Sequence, residues 1–343
     1  MSARSNTTLR IGIAGLGRLG KRHAETLVHT TRGAQVVSAC SPLAEERDWA
    51  RQTLGIETSH GDFDTFVRDP DLDAIVLATP TPLHASQTIA ALEAGKHVFV
   101  EKPLALEVAD CERVEAVARR HPTRVAMVGF VRRFDPSYRN AKAHLDAGGI
   151  GRPVAVRSQT CDLLDPTGAF VQFARTSGGI YMDCSVHDID LARWMLGRPR
   201  ALRAFASGTI AVHDELQAIG DVDNGFGLVE FEGGARAVLY ASRTYALGHE
   251  TSTEVIGSAG KLLIGAGAAR DRVQIGDAHG VRQLALRDFH ERFNDAFRDE
   301  MQAFVAACGG AAIDAATLTD ALEATRIGAA LTRSLRSGAV ETI

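Results

Sequence analysis

Two short stretches hold the residues with the most chemistry in them. The first is Val98-Phe-Val-Glu101-Lys102-Pro103-Leu104. Its apolar start reads as a strand covered on both faces, and Pro103 ends it. In open α/β sheets the ligand crevice lies outside the carboxyl ends of the strands. A lysine held at such an end is placed for proton-coupled chemistry, although the same residues also fit a surface Glu-Lys pair. The second stretch runs from Gly178 through Asp183, His187 and Asp190 to Trp194. Those three ionisable residues stand at i, i+4 and i+7 and share one face of a helix whose other positions are largely apolar. Charge is costly on a buried helix unless it faces a polar cavity, and a carboxylate one turn from a histidine can orient its ring for acid–base work. This favours a site over a purely structural Asp–His pair. Asp183, His187 and Asp190 are also conceivable metal ligands, but the chain offers no clear fourth ligand. Cys184 points away from His187 and makes a poor nucleophile.

A third motif says what the first two could act with. Gly15-Leu16-Gly17-Arg18-Leu19-Gly20 follows a β-branched strand beginning at Leu9 and opens a helical pattern through His29. In this G-x-G-x-x-G the first glycine permits a tight turn and the second lets a pyrophosphate approach the backbone. The third lets the helix pack closely, and free helix N–H groups face the anion. The strand–turn–helix context makes the motif specific for dinucleotides. The next strand, Ala34 to Cys40, ends at Ser41, where an NAD-binding chain usually carries an acid for the ribose hydroxyl. A neutral Ser41 with Arg47 nearby leaves NAD or NADP open. His84, near the end of a strand closed by Thr79 and Pro80, fits either a nicotinamide pocket or a cap for the helix it opens.

The elements that must position these groups follow from periodicity. Strands from Leu9, Ala34, Asp73, Val98 and Arg124 alternate with helices, which predicts a doubly wound parallel sheet for residues 1–129. After Phe130 strands dominate: Pro153 to Cys161, Arg200 to Ser207, Gly225 to Phe231, Ala235 to Thr244, Glu250 to Ile256 and Lys261 to Ile264. Arg272 to Ile275 and Gln283 to Leu286 are candidate edge strands. Residues 130–343 therefore read as a second α/β domain with a large open, mainly antiparallel sheet. It is interrupted by one helix, Gly179 to Leu196, and closed by helices His290 to Ala307 and Leu318 to Arg336.

Composition narrows the class. The 343 residues are 45% hydrophobic and 23% charged with a formal net charge of -4, a globular balance that argues against nucleic-acid or anionic-membrane partners. Apolar runs are strand-sized, Met1 to Thr8 is polar, and five scattered cysteines lack C-x-x-C spacing. These features predict a cytoplasmic protein without a disulfide framework or zinc site.

The glycine turn, Ala91-Leu-Glu-Ala-Gly-Lys-His-Val98 leading into Glu101-Lys102-Pro103, Gly129-Phe-Val-Arg-Arg-Phe-Asp135 and the Gly178 to Trp194 segment together resemble the glucose–fructose oxidoreductase / inositol dehydrogenase / rhizopine-catabolism (Gfo/Idh/MocA) family over nearly the whole chain. The last two segments are most similar to its inositol 2-dehydrogenase branch. The resemblance implies a Rossmann domain followed by an open-sheet domain, homodimers or homotetramers formed through that sheet, and NAD(P)-dependent oxidation of a ring hydroxyl in a polyol or sugar. It implies Lys102, Asp183 and His187 as the catalytic set. Arg132 and Asp190 would contact substrate together with that set and His249, which stands where a tyrosine is expected. The cofactor would rest on the glycine turn, Ser41, Thr79, Pro80, His84, Glu101 and Lys102. An aldose dehydrogenase and a non-enzymatic dinucleotide sensor are the alternatives, and the latter has no need of Lys102, Asp183 and His187 together.

Overall fold

The computed structural model describes residues 8–343 apart from 266, 272 and 279 and the side chain of Ala169. The polar start of the chain and the expected strand start at Arg272 thus lie outside the described residues. The chain divides into two compact units, one of residues 1–134 with 295–322, the other of 135–294 with 323–343. The block 130–343, read from sequence as one domain, therefore shares residues 130–134 and Asp295–Leu322 with the first unit.

The first unit begins with β1 (Leu9–Ala14), α1 (Arg18–His29), β2 (Ala34–Cys40) and α2 (Ala44–Leu54). β3 (Thr58–His60), α3 (Phe63–Val67), β4 (Ala74–Leu77), α4 (Thr81–Glu93) and β5 (His97–Glu101) follow. α5 (Val108–Arg120) and β6 (Ala126–Gly129) lead into a 3-10 turn at Val131–Phe134. The six strands are parallel in the order β3-β2-β1-β4-β5-β6. This order reverses direction between β1 and β4, which places the ligand crevice at the carboxyl end of β1. Apolar runs buried on both faces, such as Ala74–Leu77 and Val98–Val100, form the middle strands.

The second unit starts with α6 (Pro136–Asp146), whose first turn is capped by the Asp135 carboxylate accepting from the Ser137 and Tyr138 N–H groups. β7 (Pro153–Leu163), α7 (Ala169–Ser177), α8 (Ile180–Asp183) and α9 (Ser185–Met195) come next. β8 (Ala201–Thr209), β9 (Asn224–Phe231), β10 (Arg236–Tyr245), β11 (Glu250–Gly257) and β12 (Lys261–Ile264) complete most of the sheet. After β13 (Ile275–Asp277) and β14 (Gly280–Arg282) the chain ends in α10 (Phe289–Cys308), α11 (Leu318–Ser337) and β15 (Glu341–Thr342). The sheet order is β12-β11-β7-β10-β9-β8-β15, antiparallel except for the parallel β7–β10 pair.

Two expectations change. The interrupting helix is two pieces, α8 and α9, meeting at Cys184, whose backbone stays right-handed helical at φ −87° and ψ −61°. The spacing from Asp183 to His187 survives the joint. The expected edge strands do not extend the large sheet: β13 and β14 pair with each other as a separate hairpin, and Ala285 makes one isolated bridge to Ala269. No helix among the described residues is long and apolar enough to cross a membrane.

Candidate functional site

In the first unit the glycine turn sits at the carboxyl end of β1. Gly15 has φ +86°, and a Cβ there would come within 2.5 Å of the Ala78 carbonyl oxygen. At Gly20 a Cβ would lie 1.9 Å from the Gly15 carbonyl oxygen, so α1 can approach the turn only with glycine there. Gly17 differs. It is exposed, its φ of −68° is open to any residue, and a Cβ would meet nothing within 4 Å. The fold itself does not demand glycine at that point, whereas an approaching pyrophosphate does. Gly17 is also the N-cap of α1, with no side-chain cap and no acidic residue in the first turn. Arg18 and Leu19 begin this helix, and its N–H groups and dipole are left for an anion. The residues present fit a dinucleotide.

Ser41 follows β2 beside this turn, since the Gly15 N–H donates to the Cys40 carbonyl at 2.9 Å. The position is not without acid. The Ser41 hydroxyl donates to Glu46 Oε2 at 2.5 Å, while Arg47 Nη1 donates to the Ser41 carbonyl at 2.6 Å. Thr79 and Pro80 form the link from β4 to α4. His84 lies inside α4, whose N-cap is Pro80, so it does not cap that helix. Its ring nitrogens face the carbonyl oxygens of Thr79 and Pro103 at 2.8 Å each, so the ring ties the end of β4 to the end of β5. Burial holds its pKa low, against the pull of those two acceptors.

Glu101 ends β5 buried, with Oε1 2.6 Å from His23 Nε2 and Oε2 accepting from the Lys102 N–H at 3.2 Å. Lys102 follows half-buried, between two buried residues. Arg132 is buried in the 3-10 turn. α10 brings Glu300 into the same unit, where it is fully buried and neither carboxyl oxygen has a hydrogen-bond partner among the described residues. Burial first, and the Glu101 charge second, push its pKa well up.

In the second unit Asp183 and His187 alone keep partial exposure between Ile180 and Met195. They are one helical turn apart and open on one side. Asp190, expected to join them on an accessible stripe, is instead 1% exposed. What orients the helix is a residue that the sequence reading passed over. Asp188 is fully buried and accepts from the Ser158 and Thr160 hydroxyls of β7 at 2.6 Å each.

β7 alternates, so Ser158, Thr160 and Asp162 share its inner face. Asp162 meets His249 Nδ1 at 3.0 Å, just before β11. Arg243 of β10 is buried and donates through Nη2 to Asp183 Oδ2 at 2.5 Å. Burial opposes its charge, but Cys184, Asp183 and Asp162 outweigh that and hold the guanidinium firmly protonated. Burial would likewise raise Asp162, yet the His249 hydrogen bond and the Arg243 charge keep it below the usual carboxylate range. Phe170 lies against the Arg243 guanidinium at 4.9 Å. Arg243 Nε and His249 Nε2 are buried without a hydrogen-bond partner among the described residues. Sequence reading missed Asp162 and Arg243. Arg243 carries a signal, since it breaks the apolar inner alternation of Ala237, Leu239 and Ala241 at the carboxyl end of β10, whereas Asp162 follows the already polar Ser158 and Thr160. No cluster of three His, Cys, Asp or Glu among the described residues is arranged to hold a metal ion.

A glycine turn of this geometry, on a sheet of this strand order, defines a dinucleotide-binding protein of the α/β class. Residues 9–130 match the model of an oxidoreductase family with an NAD-binding Rossmann fold, and residues 138–263 match the GFO/IDH/MocA C-terminal domain. The chain is 36% identical over 330 residues to scyllo-inositol 2-dehydrogenase (NAD(+)) of Bacillus subtilis strain 168, covering 96% of this chain and 95% of that one. It is 33% identical over 299 residues to myo-inositol 2-dehydrogenase of Thermotoga maritima, covering 87% of each. The crystal structure of scyllo-inositol dehydrogenase from Lactobacillus casei with bound NAD(H) and scyllo-inositol is similar at a TM-score of 0.93 and 36% identity, over 98% of this chain and 99% of that one. The chain belongs to the Gfo/Idh/MocA family of NAD-binding oxidoreductases.

Proposed function

We propose that this protein is a nicotinamide-dependent dehydrogenase that oxidises a ring secondary hydroxyl of a cyclic polyol, as the inositol 2-dehydrogenases similar to it do by name. The observation that carries this reading is the accessible Asp183–His187 pair on an otherwise buried helix, with Arg243 clamped on Asp183. A family member that only sensed dinucleotide would have no use for an accessible acid–base pair held this firmly.

The dinucleotide, when bound, supplies the hydride acceptor. The chain's own groups manage the proton and the charge. His187 takes the hydroxyl proton as the carbon–hydrogen bond breaks. Asp183, ion-paired to Arg243, accepts a hydrogen bond from the substrate and orients it. Lys102, as an ammonium, stabilises the developing alkoxide. Arg132, Asp190 and His249 Nε2 complete recognition of the remaining hydroxyls. The 130–343 half, Arg132 included, is the substrate-binding part.

The chain also assembles into homodimers or homotetramers in this reading. The outer face of the large sheet carries exposed Phe205, Phe226, Leu228 and Val238 on neighbouring strands, joined by Tyr240, which stacks on Phe226. A contiguous apolar face of this kind is the mark of a protein interface.

The test is a panel of inositol isomers, aldoses and acyclic polyols with NAD and NADP, read by absorbance of the reduced nicotinamide. Turnover of a cyclic polyol is expected. Turnover of aldoses alone would move the activity to another sugar substrate, and tight dinucleotide binding without turnover would leave a sensor.

A further inference from the structure

The acid that usually binds the adenosine ribose of NAD is missing from the end of β2, where Ser41 stands. We infer that Glu46, carried on the Ser41 hydroxyl, takes over that task and makes the chain selective for NAD over NADP. This rests on the dinucleotide reading and deepens it.

Ser41 is fixed next to the glycine turn by main-chain bonds on both sides. Cys40 accepts from the Gly15 N–H, and the Ser41 N–H donates to the His60 carbonyl of β3 at 3.1 Å. Its hydroxyl accepts from the Leu43 N–H at 3.1 Å and donates to Glu46 Oε2 at 2.5 Å. Its single O–H donor is thereby committed to Glu46, and Ser41 serves as a bracket. Glu46 is half-buried in the first turn of α2, where the helix end favours an anion. Its Oε1 makes no hydrogen bond among the described residues. A carboxylate with one oxygen anchored and one open accepts from a vicinal diol and repels a phosphate in the same place.

Arg47, the cation that could have welcomed a 2′-phosphate, is turned to the main chain. Its Nη1 holds the Ser41 carbonyl, and the same nitrogen lies 3.7 Å from where a Gly61 Cβ would stand. Asp62, whose charge adds to burial in raising the Cys40 thiol, puts further negative charge at this end of β2.

The experiment is titration of the full-length protein with NADH and with NADPH, followed by nicotinamide fluorescence, for wild type, Glu46→Gln and Ser41→Ala. Glu46→Gln is nearly isosteric and keeps an acceptor for Ser41, so it isolates the charge. Wild type is expected to bind NADH more tightly. The NADH-to-NADPH affinity ratio should fall about tenfold in Glu46→Gln, the order of one hydrogen bond to a charged group, and fall in the same direction in Ser41→Ala. Equal affinities in wild type, or a ratio unchanged in Glu46→Gln, would overturn the inference. Failure of both dinucleotides to bind would instead overturn the dinucleotide reading, and this one with it.

Discussion

Arg243 shows how much of this protein turns on single side chains. It is a buried cation between Asp183 and Asp162, and removing one partner of such a group leaves the others charged and uncompensated. Arg243→Ala should cost roughly 3–5 kcal/mol in chemical denaturation and should lower turnover as well, because Asp183 loses what orients it. Gly17 makes the opposite case. Since a Cβ there meets no protein atom, Gly17→Ala should unfold like wild type yet bind NADH at least about tenfold more weakly. Unchanged binding would mean that nothing needs that space. The contrast marks what is legible from residues in order. The glycine turn and the Asp183–His187 pair announce themselves by local spacing. Arg243 and Asp162 lie far apart in the chain and are brought near each other by the pairing of β7 with β10, and Glu46 supplies its acid from a helix rather than from the strand end.

At the scale of elements, α9 is held to β7 by Asp188 acting as shared acceptor for Ser158 and Thr160, with Thr253 linking Ser158 to Tyr138. Hydrogen bonds to a charged acceptor are worth about 1.5–3 kcal/mol each. Asp188→Ala should therefore lower stability by roughly 3 kcal/mol or more in urea unfolding, and Asp188→Asn by less. Both should lower kcat if the anchor sets the direction of His187. A stable Asp188→Ala variant with full activity would deny it that role. The strand and helix periods made most elements readable, and β2 and β12 fall on the residues expected. The exceptions have physical causes. β3 is three polar residues with no apolar alternation, and α7 starts after a proline–glycine turn with no side-chain cap. The β13–β14 hairpin looked like more sheet because pairing partners are not encoded by local pattern.

At the scale of the whole chain, the first unit is completed by a segment that follows it after the intervening residues 135–294. α10 delivers Glu300 into the interior with the Glu101–His23 pair. A carboxyl whose pKa is raised by folding keeps a proton that the unfolded chain releases. Its stabilising effect is full below the ordinary carboxylate pKa, about 4.3, and is lost as pH rises through the folded value. The advantage in melting temperature of Glu300→Gln over wild type should therefore grow as pH rises from about 5 to about 8. A constant difference would show that Glu300 is ionised in the fold. The outer face of the large sheet makes a second prediction. Phe226→Glu places charge in the middle of its apolar patch and should shift the protein toward monomer in sedimentation, leaving NADH binding intact.

In the proposed reaction His187 moves the substrate proton. Steady-state turnover of the best cyclic polyol by His187→Ala, set beside NADH affinity of the same variant, tests it most directly. A fall in kcat of about 10²–10⁴ with NADH affinity unchanged is the expected result, and turnover at the wild-type rate would contradict it.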